Sequence, residues 1–215
     1  MSGNRKEAAG GAERARDPIR FAELLRTAVV VTAALLFLCG VAYPLVLFGV
    51  GRLAFPRQAA GSLVRDGDGR IVGSALIGQS FTELRYFHGR PSAAGYDAAN
   101  SSGSNLGPTN PKLLIGARGT AEAYRSENAL GAGAAIPIDA VTASASGLDP
   151  HISPANAMLQ VPRVAHARGA RVTAVQALVE SHTEGRQLAV LGESRVNVLL
   201  LNLALDSLLR AEGKP

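Results

Sequence analysis

A chain of 215 residues in which 47% of the side chains are hydrophobic but only 5% aromatic, with no Trp, has to build its core from Leu, Val, Ile and Ala. Its net charge of +5 comes from 19 Arg and 3 Lys standing singly between acids. No basic stripe interleaved with aromatics is present, which argues against nucleic acid as a partner. The one cysteine, Cys39, lies inside an apolar run, so the chain has no internal disulfide and no soluble thiol nucleophile.

Residues 1–26 are polar, rich in Gly and Ala and mixed in charge, the composition of a disordered tail. Residues 27–50, TAVVVTAALLFLCGVAYPLVLFGV, hold no charged side chain between Arg26 and Arg52. At 1.5 Å per residue a helix of that length covers roughly 36 Å, enough to cross the hydrocarbon layer. A signal peptide would be shorter and followed by small residues, and a core helix would have a polar side. Pro44 removes a backbone donor, so a kink is expected there. Six basic residues (Arg5, Lys6, Arg14, Arg16, Arg20, Arg26) precede the span. The positive-inside rule therefore predicts a cytoplasmic tail and residues 51–215 as one external domain.

Two β-prone runs, 62–65 and 70–77, flank Asp66-Gly67-Asp68-Gly69 and predict a hairpin. A calcium loop is a poor match, with Arg70 and Ile77 where acidic ligands belong. The tract 79–111 is polar and turn-rich, but Tyr86, Phe87 and Tyr96 interleave with Gly and Pro, which predicts a loop packed by its own side chains. Asn110-Pro111 opens a helix with Asn as cap and Pro at its first position, Leu113, Leu114, Ala117, Ala121 and Tyr124 lying on one face.

Residues 136–142 alternate like a strand and run into a small-residue loop, 143–151. Ser153-Pro154 repeats the cap-then-proline start; the helix it opens carries Ala157, Met158 and Val161 inward, is interrupted or restarted at Pro162, and is closed by Gly169. A helix at 173–181 and a short apolar segment at 188–191 lead to Asn197, the cap of the last helix, 198–209. Early hairpin strands followed by helices, without βαβ alternation, give an α+β domain behind a single N-terminal transmembrane helix.

Catalytic motifs are missing: there is no P-loop, no Gly-x-Ser-x-Gly elbow and no His-Glu-x-x-His. The four His have no metal-ligand spacing. Arg90 has two readings of equal weight, a bidentate clamp for a carboxylate or phosphate and an internal arginine bonding loop carbonyls. Ser144, Ser146, Asp149 and His151 have the residue types of a hydrolytic site, but crowded into eight positions they read as a capped turn.

Four ordered blocks carry a family resemblance: YFHGRPS at 86–92, SNLGPTNP at 104–111, VTASASGLD at 141–149, and Val196-Asn197 with Asn202-Leu203-Ala204-Leu205-Asp206. Behind a single span, they resemble the motifs of KdpC, the C subunit of the Kdp potassium-transporting ATPase, from about residue 27 to 206. Ser102 stands where that family usually has a glycine, and Leu200 where it often has Glu.

The resemblance implies a non-catalytic accessory subunit of an inner-membrane complex that hydrolyses ATP to import K+. Its partners would be a P-type ATPase subunit (KdpB-like) and a channel-like potassium-binding subunit (KdpA-like). It also implies a catalytic-chaperone role, raising the ATP affinity of the ATPase subunit, with ATP binding attributed to it on that basis. No residue for a cofactor or metal is assigned. Small residues and Pro44 in the span, and the polar loops, make Gly40, Pro44, Tyr86, Phe87, Arg90, Asn105, Asn110, Ser144 and Asp149 the candidate partner interface. A membrane-anchored external binding module or a hydrolase acting alone are the other readings.

Overall fold

The computed structural model describes residues 20–211. They form two compact units, divided between Ala59 and Ala60.

The first unit is one helical run, Phe21–Ala54, of 34 residues, with none of its most apolar window buried, long and apolar enough to cross a membrane. It consists of α1 (Phe21–Phe37), a π-helical turn (Leu38–Ala42) and α2 (Tyr43–Ala54), followed by the short α3 (Pro56–Ala59). The expected disturbance at Pro44 takes the form of that π turn: the Tyr43 N–H donates to Leu38 O, five residues back. Wider turns of this kind absorb a missing donor without breaking the helix.

In the second unit β1 (Leu63–Arg65) and β2 (Ile71–Ser74) form the expected hairpin, Leu63 facing Ser74, with a bulge between Val64 and Arg65. One Asp66 carboxylate oxygen accepts from the Asp68 and Arg70 amides at 3.0 and 2.9 Å, an Asx turn built from the Asp-Gly signal. A second antiparallel sheet, in the order β3-β5-β4, joins β3 (His151–Ile152), β5 (Arg195–Asn197) and β4 (Thr183–Glu184). Ile152 and Thr183 both pair with Val196. Helices α5 (Pro154–Arg168) and α7 (Val198–Ala211) pack on β5, and α6 (Val172–Ser181) packs against both helices. The α+β class predicted from sequence is the class observed. The core is aliphatic, as the composition requires: Ile152, Val161, Val164, Val175, Val179, Val196, Leu201, Leu205 and Leu209, with Phe87 as its fully buried aromatic.

Three predicted helix caps are present. Asn110 accepts from the Lys112 amide at α4 (Pro111–Glu127), Ser153 Oγ from the Asn156 amide at α5, and Asn197 Oδ1 from the Leu200 amide at α7. Gly169 closes α5 at φ +59.

Two local expectations fail. Residues 136–142 form no strand: Ile138–Ala140 is a 3-10 turn in which Ile138 O accepts from the Thr142 amide and hydroxyl, while Asp139 turns into the α5 cap and accepts from Ser153 N and Oγ. Helix α5 runs unbroken through Pro162, because Val161, Arg163, Val164 and Ala165 around it are all buried. Leu114 faces solvent, and no residue of α4 is buried. The apolar segment at 188–191 is exposed.

Candidate functional site

The tract between β2 and α4 contains no helix or strand, yet its middle is among the best-held parts of the domain. Two helices reach across to it with polar side chains. From α7, Asn202 grips the backbone of one residue on both sides: Oδ1 accepts from Phe87 N at 2.9 Å and Nδ2 donates to Phe87 O at 3.0 Å. From α5, Gln160 does the same for His88, accepting from its N–H at 2.8 Å and donating to its carbonyl at 3.1 Å. Arg163 Nη1 donates to Leu84 O at 2.6 Å and Tyr86 O at 3.0 Å, and Arg168 Nε to Arg85 O at 2.9 Å. Side chains thus supply what a neighbouring strand would give, which is how a loop can be buried without orphaned backbone groups.

The charges in this clamp are compensated. Arg168 pairs with Asp206, and its guanidinium lies 4.6 Å over the Tyr86 ring. Arg163 Nε lies 3.0 Å from Asn128 Oδ1 and 3.3 Å from Glu127 Oε1. Burial pulls the Arg163 guanidinium below its ordinary pKa, and the charge of Glu127 opposes that pull. His88 sits between Glu127 Oε1 at 2.8 Å from Nδ1 and Glu83 O at 3.0 Å from Nε2.

A second seam joins the loop to 141–149. Arg90 Nη1 donates to Asp149 Oδ2 at 3.0 Å, and the His151 amide donates to Asp149 Oδ1 at 3.0 Å. Burial alone would raise the Asp149 pKa; hydrogen bonds from the His151 side chain and amide and from Arg90 outweigh it and hold the carboxyl below its usual range. Ser92 Oγ donates to Gly147 O at 2.6 Å and Tyr96 Oη to Arg90 O at 2.6 Å. Two glycines are dictated here: a Cβ on Gly147, at φ +68, would lie 2.7 Å from Ser102 O, and one on Gly103 would lie 2.7 Å from Ala145 O. Ser102, the departure from the family pattern, is not in the left-handed region.

The Ser/Asp/His cluster is a turn. Ser146 Oγ accepts from the Leu148 amide, Ser144 is buried, and Asp149 is held by Arg90 and His151. Arg90 is an internal arginine, as one of its two readings had it, but its partner is the Asp149 carboxylate and not a loop carbonyl. A cavity of about 350 Å3 lies between His88, Arg90, Tyr96, Tyr124, Glu127 and Gln160. Arg90 Nε is the one buried side-chain nitrogen or oxygen without a hydrogen-bond partner among the described residues. Burial raises the pKa of both tyrosines, so their hydroxyls stay neutral. Among the described residues no group of three acidic, His or Cys side chains is placed to hold a metal.

Of the candidate interface residues, Phe87 is fully buried and Ser144 is 7% exposed, so neither offers a surface. Tyr86, Arg90, Asn110 and Asp149 are half-buried in the ties just described; Asn105, at φ +52, is exposed. Gly40 lies in the π turn and Pro44 just beyond it, both exposed. The clamp residues Gln160, Arg163 and Arg168 escaped the sequence reading, and Asn202 entered it only as part of a family block, with no role. A usable signal was present: Asn156, Gln160 and Arg163 recur at i, i+4, i+7, and Asn202 and Asp206 at i, i+4, as polar lines on helices that otherwise bury aliphatic residues.

Residues 25–207, from the spanning helix to the end of the clamp on α7, match the family model described as KdpC: K+-transporting ATPase, c chain. The chain belongs to the KdpC family. Among curated relatives, the potassium-transporting ATPase KdpC subunit of Caulobacter vibrioides is 56% identical over 185 residues, covering 85% of this chain and 92% of the relative. The KdpC subunit of Mycobacterium tuberculosis is 58% identical over 171 residues, covering 79% and 90%. The KdpC match takes in both units, the apolar helix as well as the clamped domain.

Proposed function

We propose that this chain is the membrane-anchored, non-catalytic accessory subunit of an ATP-driven K+ uptake complex. It would work beside a P-type ATP-hydrolysing subunit and a channel-like K+-binding subunit. The observation that carries this reading is the family match running unbroken through helix and domain at high identity to KdpC subunits. The helix anchors the chain in the inner membrane, the basic tail stays in the cytoplasm and the domain stands outside. From there, an effect on ATP affinity is a coupling free energy transmitted through membrane helices, without nucleotide contact to the domain.

The clamped loop supports the docking part of the proposal. A loop pinned to α5 and α7 presents its outer part, including Asn105, with little ordering entropy left to lose on binding. Co-expression with the other two subunits tests the assignment: the chain is expected to co-purify with both, and its absence from the purified ATPase would end the reading. The orientation has its own test. Ser102 is exposed, and Ser102→Cys is expected to react with a membrane-impermeant maleimide in cells whose outer membrane has been permeabilised; labelling only after lysis reverses the topology.

A further inference from the structure

The cavity of about 350 Å3 beside the clamp is walled by the loop at 88–96, by the C-terminal half of α4, by Gln160 of α5 and by Ala140 of the 3-10 turn. A space of that size suits a small ligand. Two charged groups on its walls have bonding capacity left over.

Arg90 is the first. Among the described residues its bonded nitrogen is Nη1, which donates to Asp149 Oδ2 at 3.0 Å, while Nε is buried with no partner. Nε and Nη2 form the edge of a guanidinium that takes a carboxylate through two parallel hydrogen bonds. A buried donor without an acceptor carries a free-energy cost, and an arriving carboxylate removes it. Glu127 is the second. Its contacts with His88 Nδ1 at 2.8 Å and Arg163 Nε at 3.3 Å both fall on Oε1, whereas a carboxylate offers about four acceptor positions over its two oxygens. At 32% exposure the Glu127 side chain is still open to a donor.

Charge balance selects the ligand. Arg90 is paired with Asp149 and Glu127 with Arg163, so each charge on the walls has its opposite. An anion or a cation bound there alone would be left uncompensated in a partly buried place. A molecule carrying both a carboxylate and an ammonium adds no net charge and brings each group to the wall with capacity for it. The tyrosines fit the same ligand. Tyr96 Oη and Tyr124 Oη already donate to Arg90 O and Asn156 Oδ1 at 2.6 and 2.8 Å, and burial keeps both hydroxyls neutral, so they can accept from an ammonium. Phe81, Ala123 and Ala140 line the remainder and suit methylene groups.

We propose that this cavity binds a small zwitterion of the amino-acid class, its carboxylate on Arg90 and its ammonium on Glu127. The site lies within the domain and does not depend on which subunits the chain meets.

The test is calorimetry on the purified full-length chain in detergent, titrated with glycine, β-alanine, γ-aminobutyrate and δ-aminovalerate, a ladder in which the two charged groups move apart one methylene at a time. One rung is expected to bind at least tenfold more tightly than butyrate or butylamine, each of which keeps one charged group and lacks the other. Butyrate binding as tightly as the best rung would remove the Glu127 contact, butylamine doing so would remove the Arg90 contact, and heats no larger than dilution along the whole ladder would remove the site; each result overturns the proposal. Arg90→Lys and Glu127→Gln are each expected to weaken the best rung at least tenfold, and unchanged affinity in either would overturn it as well. Both residues also tie the fold together, so a third variant works from α4, which has no buried residue. Thr120→Phe fills the cavity from that helix and is expected to abolish binding while the melting temperature of the chain stays unchanged. Binding that survives in a folded Thr120→Phe chain would show that the zwitterion sits elsewhere.

Discussion

The tract around 84–88 and helix α4 invert the usual relation between regularity and hold. The first has no regular structure, yet Phe87 is fully buried and its peptide groups are bonded from two helices. The second is a 17-residue helix, well capped, with no buried residue and with Leu114 and Ile115 at 53 and 69% exposure. What fixes α4 to the domain is concentrated at its C-terminal end, where Tyr124 Oη donates to Asn156 Oδ1 at 2.8 Å and Glu127 and Asn128 meet Arg163. Local hydrogen bonds make a helix; burial and long-range polar contacts make a segment hard to move.

The sharpest way to break this contrast is to cut the clamp. Asn202→Ala leaves the buried N–H and C=O of Phe87 without partners, a loss of roughly 3 kcal/mol at one to three per orphaned group. For a domain of this size the melting temperature is expected to fall by about 6 to 12 °C. The Phe87 amide should pass from slower to faster hydrogen exchange than the first turns of α4. A fall of only a degree or two would mean that the loop is held by packing alone.

A smaller effect is expected at the second seam, and it depends on pH. Asp149 has its pKa lowered in the folded chain. Its contribution is therefore present above the ordinary carboxylate value near 3.9 and lost as pH falls through the folded value. Asp149→Asn should melt below the parent at pH 7, and the gap should narrow as the pH is taken down to about 3. A gap that stays constant would show that the Asp149 charge contributes nothing to the seam.

The smallest effect belongs to α4. Leu114→Gln and Ile115→Gln are expected to change stability by less than about 0.5 kcal/mol each, as exposed substitutions do. A loss above roughly 1.5 kcal/mol in the isolated chain would show that this face is packed.

How much of this was legible follows the range of the interactions. The hairpin and the caps at Asn110, Ser153 and Asn197 are written in neighbouring residues and found where those residues put them, while the apolar helix expected at 27–50 extends over Phe21–Ala54, taking in residues 21–26 that were assigned to the disordered tail. The clamp joins positions 72 to 115 residues apart, which no local pattern encodes; its trace is the polar spacing on α5 and α7. Residues 136–142 deceived because alternation there is only apparent: Asp139 is taken by the α5 cap, and Pro137 has no amide for a ladder.

The π turn at Leu38–Ala42 alters the angular bookkeeping of the spanning helix. One extra residue in a turn sets everything beyond it back by about 100° around the axis. On a continuous α-helix, Ala33 and Gly49 would stand about 160° apart, nearly back to back; with the wide turn between them the separation falls to about 60°. Two small residues that a helical wheel drawn from the sequence assigns to opposite neighbours therefore look toward the same side of the bilayer helix. A wheel for this span has to be drawn as two wheels, one for α1 and one for α2.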